Sequence, residues 1–171
     1  MGGRELAWIE PLVSEFSRPA FQLAAALVKD PGVAEEIVQE AFVRALTNKR
    51  TPRVAPEFRR WFYRIVLNLA REHYRRQARW RRLPLLRPHI VDAEEEAHRR
   101  LGDNEMERAL QQLSPRQREA VYLRYFEDAA YEDIAAIMGI STSTTRVLVH
   151  RALDELRARL PNDHQSKRES R

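Results

Sequence analysis

The chain has 171 residues, of which 43% are hydrophobic and 32% charged, with a formal net charge of +5 and no cysteine. That length allows one domain or two small ones, and the lack of cysteine excludes disulfides and thiolate metal sites. No apolar run reaches the roughly 18 residues of a membrane-spanning helix.

The isoelectric point near 9.9 and mean hydropathy of -0.61 suit soluble amphipathic helices with a taste for nucleic acid. With 25 acidic residues present, though, the charge must be segregated along the chain before it can act as a surface. The opening Met1-Gly2-Gly3-Arg4-Glu5-Leu6 lacks the apolar core of a signal peptide, so the expected location is cytoplasmic.

From about Glu5 the apolar residues recur at helical spacing. Trp8, Leu12 and Phe16, then Phe21, Ala24, Ala25 and Val28, mark an opening helix or a pair of helices with Pro19 between them. Asp30-Pro31-Gly32 is a turn, and a helix follows from Val33 to about Leu46 with Ala34, Ile37, Val38, Ala41, Phe42 and Ala45 inward. Asn48 to Pro56 holds two prolines and no periodicity and reads as a loop. A long helix then runs from Phe58 to about Arg82. Residues 83–102, with Pro84, Pro88 and the run Glu94-Glu95-Glu96, read as a linker.

A second domain spans 103–160, with residues 161–171 a disordered tail. Within it Ser114-Pro115-Arg116-Gln117 is a capping box with proline at the first helical position. No strand-like alternation occurs. The fold class expected is all-α, with two small helical domains, 5–82 and 103–160, joined by the linker.

Three surfaces carry chemistry. Between Arg59 and Arg82 there are nine arginines and one acid, Glu72. On a helical wheel Arg60, Arg64, Arg71, Arg75, Arg79 and Arg82 share one side, opposite Phe58, Phe62, Ile65, Val66 and Leu69. Like charges at this spacing repel, so a single-sign arginine stripe points to phosphates that neutralise it. Asn68 lies on the arginine side as an amide able to read a base, and Trp61 at the border could stack on an unpaired one. A merely exposed Asn68 and a half-buried Trp61 would satisfy the same pattern.

On the preceding helix Glu35, Glu36, Gln39 and Glu40 form a polar patch that should avoid phosphate and could dock a basic protein surface. The helix dipole accounts for Glu35 and Glu36 but not for Gln39 and Glu40.

Farther on, the stretch Ala130 to Arg146 reads as two helices joined by a turn, a helix-turn-helix, with Ile134, Ala135 and Met138 the apolar face of the first and the second continuing to Leu160. Gly139 supplies the positive φ at the turn and Ser141 the cap of the second helix. Thr145, Val149, Ala152, Leu153, Leu156 and Leu160 make its inward stripe. Ser143, Thr144, Arg146, Val147, His150 and Arg151 face away from the core, with Leu148 also off the stripe. The N-terminal part of such a helix sits against base edges and phosphates. An ordinary helical hairpin is the bland alternative.

These segments, in this order, resemble the extracytoplasmic-function (ECF) sigma factors, small two-domain promoter-recognition subunits of bacterial RNA polymerase. The motifs that carry the resemblance run from Asp30 to Phe42, Phe58 to Ala70, Leu113 to Arg118 and through the helix-turn-helix. The resemblance implies that Glu36, Gln39 and Glu40 contact the β′ clamp of core RNA polymerase, with a further contact to the β flap. It casts the loop 48–56 with Trp61, Arg64, Asn68, Arg71 and Arg75 as readers of the unwound minus-10 strand. Ser143, Thr144, Arg146, Val147, His150 and Arg151 become readers of the minus-35 duplex. It also implies an anti-sigma factor that holds the chain silent, with no cofactor and no membrane insertion. The loop 48–56 departs from the family in having no aromatic, and the recognition helix departs in having Val147 and Leu148.

A helix-turn-helix regulator that acts without polymerase is the alternative, and it leaves the acidic patch unexplained. Enzyme activity of the chain's own is not expected. His73, His89 and His98 are too scattered for a metal site, and neither a Gly-rich phosphate loop nor a nucleophile elbow occurs.

Overall fold

The computed structural model describes residues 7–81 and 105–160, and the side chains of residues 80 and 81 are outside that description. The predicted linker, Arg82, His89, His98 and the tail 161–171 therefore lie outside the described residues. The elements are all helices: α1 Glu10–Val28, α2 Pro31–Thr47, α3 Ala55–Arg81, α4 Glu105–Gln112, α5 Pro115–Tyr125, α6 Tyr131–Met138 and α7 Thr142–Arg159.

The first three helices pack on one another. α1 is one helix that continues through Pro19. An interior proline removes one backbone hydrogen bond and costs about 3 kcal/mol. The apolar face Leu12, Phe16, Ala20, Leu23 and Leu27 runs unbroken across it and is buried. At roughly 1.5–3 kcal/mol for each large side chain, that burial outweighs the loss. Lys29, at φ 59°, ends the helix in the left-handed region.

Asp30 then caps α2, its carboxylate accepting from the Val33 amide at 3.1 Å, with Pro31 in the first turn. α3 begins at Ala55, three residues before the expected Phe58, because Pro56 fits a first helical turn where no amide partner is needed. The loop is thus shortened to 48–54. It is tied down by buried Thr51, whose hydroxyl donates to the carbonyls of Ala45 and Asn48, both at 2.8 Å. Phe16, Phe42, Phe58, Phe62 and Tyr63 form the aromatic centre of this group.

The last four helices follow the predicted punctuation. Ser114 and Gln117 form the reciprocal capping box, at 3.3 Å and 2.9 Å. Gly139 has φ 69° and closes α6. Ser141 caps α7 by accepting from the Thr144 amide at 3.1 Å.

The two helical groups meet. α6 lies along α3, α5 touches α1, and one apolar cluster runs from Phe58, Phe62 and Leu67 to Ala120, Leu123, Ile134, Ile137 and Val149. A smaller cluster of Ala109, Leu113, Val121, Ala152 and Leu156 belongs to the last four helices alone. No helix among the described residues is long and apolar enough to cross a membrane.

Candidate nucleic-acid and polymerase interfaces

α3 is amphipathic in more than one direction. Phe58, Phe62 and Val66 are buried and Ile65 and Leu69 partly so, as the wheel requires. Tyr63, Leu67 and Ala70 are buried as well, on the flank that adjoins the arginines. That second apolar flank carries the neighbouring arginines into contact with α5 and α6.

Arg71 is the clearest case. Its Nε donates to Glu119 Oε1 at 2.9 Å and its Nη2 to Glu119 Oε2 at 2.6 Å, a two-pronged pair. The Glu119 side chain is only 3% exposed and that of Arg71 18%. Arg60 reaches Asp133 at 3.3 Å, and Arg64 lies 3.6 Å from where a side chain on Gly139 would begin. Arg59 donates to the Glu127 carbonyl and lies 3.6 Å from its carboxylate, which also accepts from the Tyr63 hydroxyl. Burial, and then the Glu127 carboxylate, push the Tyr63 hydroxyl far above the ordinary tyrosine range.

The stripe is therefore divided. Asn68, Arg75 and Arg79 remain exposed on one side of the helix. With Arg71, Glu72 and Ala78 they line an open hollow of about 730 Å³. Trp61 is half-buried at the border and its ring lies 6.1 Å from that of Phe58, so one face of it is committed to packing. In the preceding loop Arg53 lies over the ring of Trp8, 5.0 Å from its centroid. Deeper along α3, burial and then Arg76 push the His73 pKa down, while Asp30 and Glu36 oppose the shift.

On α2, Ile37, Val38 and Ala41 are buried while Glu35, Glu36, Gln39 and Glu40 are all exposed. Glu40 pairs with Arg44 one turn on, at 2.8 Å. Exposed Val43 and Leu46 continue the face toward the helix end.

The outward face of α7 is open. Ser143, Thr144, Arg146, Val147, His150 and Arg151 are exposed, while Thr145, Val149, Ala152 and Leu156 are buried beneath. Arg146 lies over the Tyr131 ring at 5.1 Å and reaches Glu132 at 3.4 Å. His150 lies 3.8 Å from Asp154. Leu148 departs from expectation, being partly buried against the shared cluster because the packed groups cover the flank of α7 on which it sits. Val147 stays 48% exposed.

Two sequence family models match the chain, sigma-70 region 2 over residues 12–80 and sigma-70 region 4 over residues 103–156. It is 30% identical over 151 residues to RNA polymerase sigma factor SigV of Bacillus subtilis, covering 88% of this chain and 90% of that one. The chain belongs to the sigma-70 family of RNA polymerase sigma factors, in its ECF class. It is also 32% identical over 160 residues to RNA polymerase sigma-H factor of Pseudomonas aeruginosa, covering 85% and 82% of the two chains. The fold is similar to that of the sigma factor RpoE in complex with the anti-sigma factor NepR from Bartonella quintana, with a TM-score of 0.64 and 22% identity. That likeness covers 90% of this chain and 99% of the other. As a sigma factor, the chain joins core RNA polymerase and directs promoter-specific initiation.

Sequence reasoning found the arginines and missed their acidic partners. Glu119 reads as one more surface charge inside a polar helix, and nothing local marks it as buried. The signal available was on α3, where Tyr63, Leu67 and Ala70 recur at spacings of four and three on the basic flank. A second packed neighbour was implicit there.

Proposed function

We propose that the promoter- and polymerase-contacting duties of this sigma factor divide by helix. The observation that carries the reading is the separation of charge. α2 offers an exposed acidic face of Glu36, Gln39 and Glu40, and α3 an open basic hollow around Asn68, Arg75 and Arg79. The acidic face docks a basic surface of core polymerase, the β′ clamp in the family pattern. Trp61, Arg64, Asn68, Arg71 and Arg75 engage the unwound minus-10 strand, with Asn68 as the base reader and the arginines on phosphates. Ser143, Thr144, Arg146, Val147, His150 and Arg151 lie in the major groove at minus-35. Residues 5–82 and 103–160 are then the two working domains, the second also meeting the β flap.

The chain works in the cytoplasm and carries no reaction of its own, since the chemistry belongs to the polymerase. Two similar solved structures are complexes, CnrH with the cytosolic domain of CnrY and the sigma factor RpoE with the anti-sigma factor NepR. That supports an anti-sigma partner for this chain too.

The test is co-purification with core RNA polymerase. Glu36→Lys with Glu40→Lys should abolish association while circular dichroism shows unchanged helicity, because both side chains are exposed. Undiminished association would remove the assignment of α2 as the docking helix.

A further inference from the structure

Tyr131 opens α6, and two guanidinium groups lie over its ring. Arg124 of α5 stands 5.0 Å from the ring centroid and Arg146 of α7 stands 5.1 Å from it. Cations gather at an aromatic because its electron-rich face attracts them. These two are not held equally. Arg124 is partly buried, and its Nη1 donates to the Ala129 carbonyl at 3.0 Å, just before α6 begins. The ring is partly buried too and packs against the large apolar cluster. The Arg146 side chain is 61% exposed, and it also reaches Glu132, itself 66% exposed, at 3.4 Å.

We propose that Tyr131 is a positioning residue for promoter recognition, its anchored ring holding Arg146 so that the guanidinium enters the groove already aimed at a guanine edge. The proposal rests on the minus-35 reading of α7. An arginine on an exposed helix face has several free rotors, and fixing them on DNA costs conformational entropy. A ring that restrains the stem beforehand removes part of that cost. It does so only for the orientation it holds, so the benefit falls on one base position rather than on DNA in general. A guanidinium lying over a ring keeps its edge free, and that edge can give two parallel hydrogen bonds to guanine O6 and N7.

Of the groups that touch Arg146, the ring decides the orientation. An exposed ion pair such as that with Glu132 is screened by salt and leaves both side chains mobile. The ring cannot move in this way, because the cluster and Arg124 fix it. Its place also suits the task. Tyr131, Arg146, Val147, His150 and Arg151 line an open hollow of about 450 Å³, so the held guanidinium forms the wall of a space that base edges can enter.

One test needs no DNA. In the free full-length protein, the Nε–Hε resonance of Arg146, assigned by its loss in Arg146→Lys, should stand apart from those of unrestrained arginines. Tyr131→Leu should move it among them, and Tyr131→Phe, which keeps the ring, should leave it in place. The second test uses holoenzyme reconstituted with core RNA polymerase. Selection from a randomised minus-35 library should show a guanine preference at one position, absent in Arg146→Ala. Tyr131→Leu should reduce that preference about two- to fivefold, the range of an exposed cation–π contact. Tyr131→Phe should keep it, and Glu132→Gln should change it less than Tyr131→Leu does. Preferences at the other positions should hold. Each is a ratio within one sample, so any loss of folded protein cancels.

A guanine preference that survives Tyr131→Leu, or an Arg146 resonance indifferent to it, would overturn the positioning role. An equal loss in Tyr131→Phe would overturn it as well, since the hydroxyl rather than the ring would then be acting. In the Arg146→Ala background Tyr131→Leu should add nothing, and a further loss there would mean that the ring meets DNA itself. If Arg146→Ala left the library preference unchanged while the resonance still answered to Tyr131→Leu, the ring contact would stand and the minus-35 reading of Arg146 would fall.

Discussion

α3 and α7 are both arginine-bearing helices, each proposed to meet nucleic acid, yet they spend their charge differently. On α7 the arginines meet exposed acids, Arg146 with Glu132 and Arg157 with Asp154, each at 3.4 Å. Exposed pairs of this kind are worth about 0–1 kcal/mol and are screened by salt, so a phosphate can replace the acid with no change of fold. On α3 the acid facing Arg71 is buried, and removing one partner while the pair stays buried strands the other charge at a cost of about 3–5 kcal/mol. Exchange there requires the groups to separate. Two arginine-bearing helices thus differ in what must move before an arginine can change partner, and the difference lies in the burial of the partner rather than in the arginine.

Truncations in the two apolar clusters should give the largest contrast. Ile134 is fully buried in the cluster shared by both helical groups, and Ile134→Ala should cost about 2–5 kcal/mol. Thermal melting should fall for the whole protein, and hydrogen exchange should rise in α3 as well as in α6 and α7. Leu156 belongs to the small cluster of the last four helices. Leu156→Ala should fall at the low end of the same range and raise exchange in α4, α5 and α7 while sparing α1 to α3. Equal protection losses across both groups for both variants would erase the distinction between a shared core and a local one.

Within α3, Asn68 and Arg75 sharpen the comparison between reading and holding. Asn68→Ala should cost about 1–3 kcal/mol at one minus-10 position only, measured by competition among single-base promoter variants. Arg75→Ala should weaken all promoters alike and reduce the salt slope by about 1. A uniform loss with Asn68→Ala would make it a backbone contact.

The pieces that were legible in the sequence are those set by local chemistry. Ser114 with Gln117, Asp30 before Pro31, Gly139 before Ser141, and the apolar stripe Thr145, Val149, Ala152 and Leu156 each declare themselves within a few residues, and each is found where the pattern puts it. What was not legible depends on partners far along the chain. Pro19 reads as a possible break because its own neighbours say so, and the buried face on either side overrules it. Leu148 reads as exposed because it is off the main stripe, and the shared cluster covers it. Arg71 reads as a phosphate-seeking side chain, and the carboxylate that it holds in the structure lies 48 residues away.

The burial of Leu148 also narrows the test of the minus-35 face. Val147 is the exposed apolar residue among Arg146, His150 and Arg151. Contact with a thymine methyl would reward such a side chain in the major groove. Val147→Ser alone should then lower preference for a thymine-containing site by about 1 kcal/mol in selection from a randomised minus-35 library. Packing should be untouched because the side chain is not part of the core. An unaltered library preference would end the methyl-contact account.

The smallest effect expected is a pH dependence at His73 on α3. Burial and Arg76 hold its pKa below the ordinary 6.5. As pH falls, the unfolded chain therefore binds the proton before the folded one does. The stability contribution is whole above about 6.5 and is lost progressively as pH drops from there through the folded value. Urea midpoints measured on either side of 6.5 should show this decline, and His73→Gln should flatten it. Asp30 and Glu36 pull the other way, favouring the protonated ring. Glu36→Gln should thus lower the His73 pKa further and steepen the acid-side loss, which nuclear magnetic resonance titration of the imidazole would read directly. A pKa that rises on Glu36→Gln would mean that the acidic face of α2 and the basic helix α3 do not sense each other through this histidine.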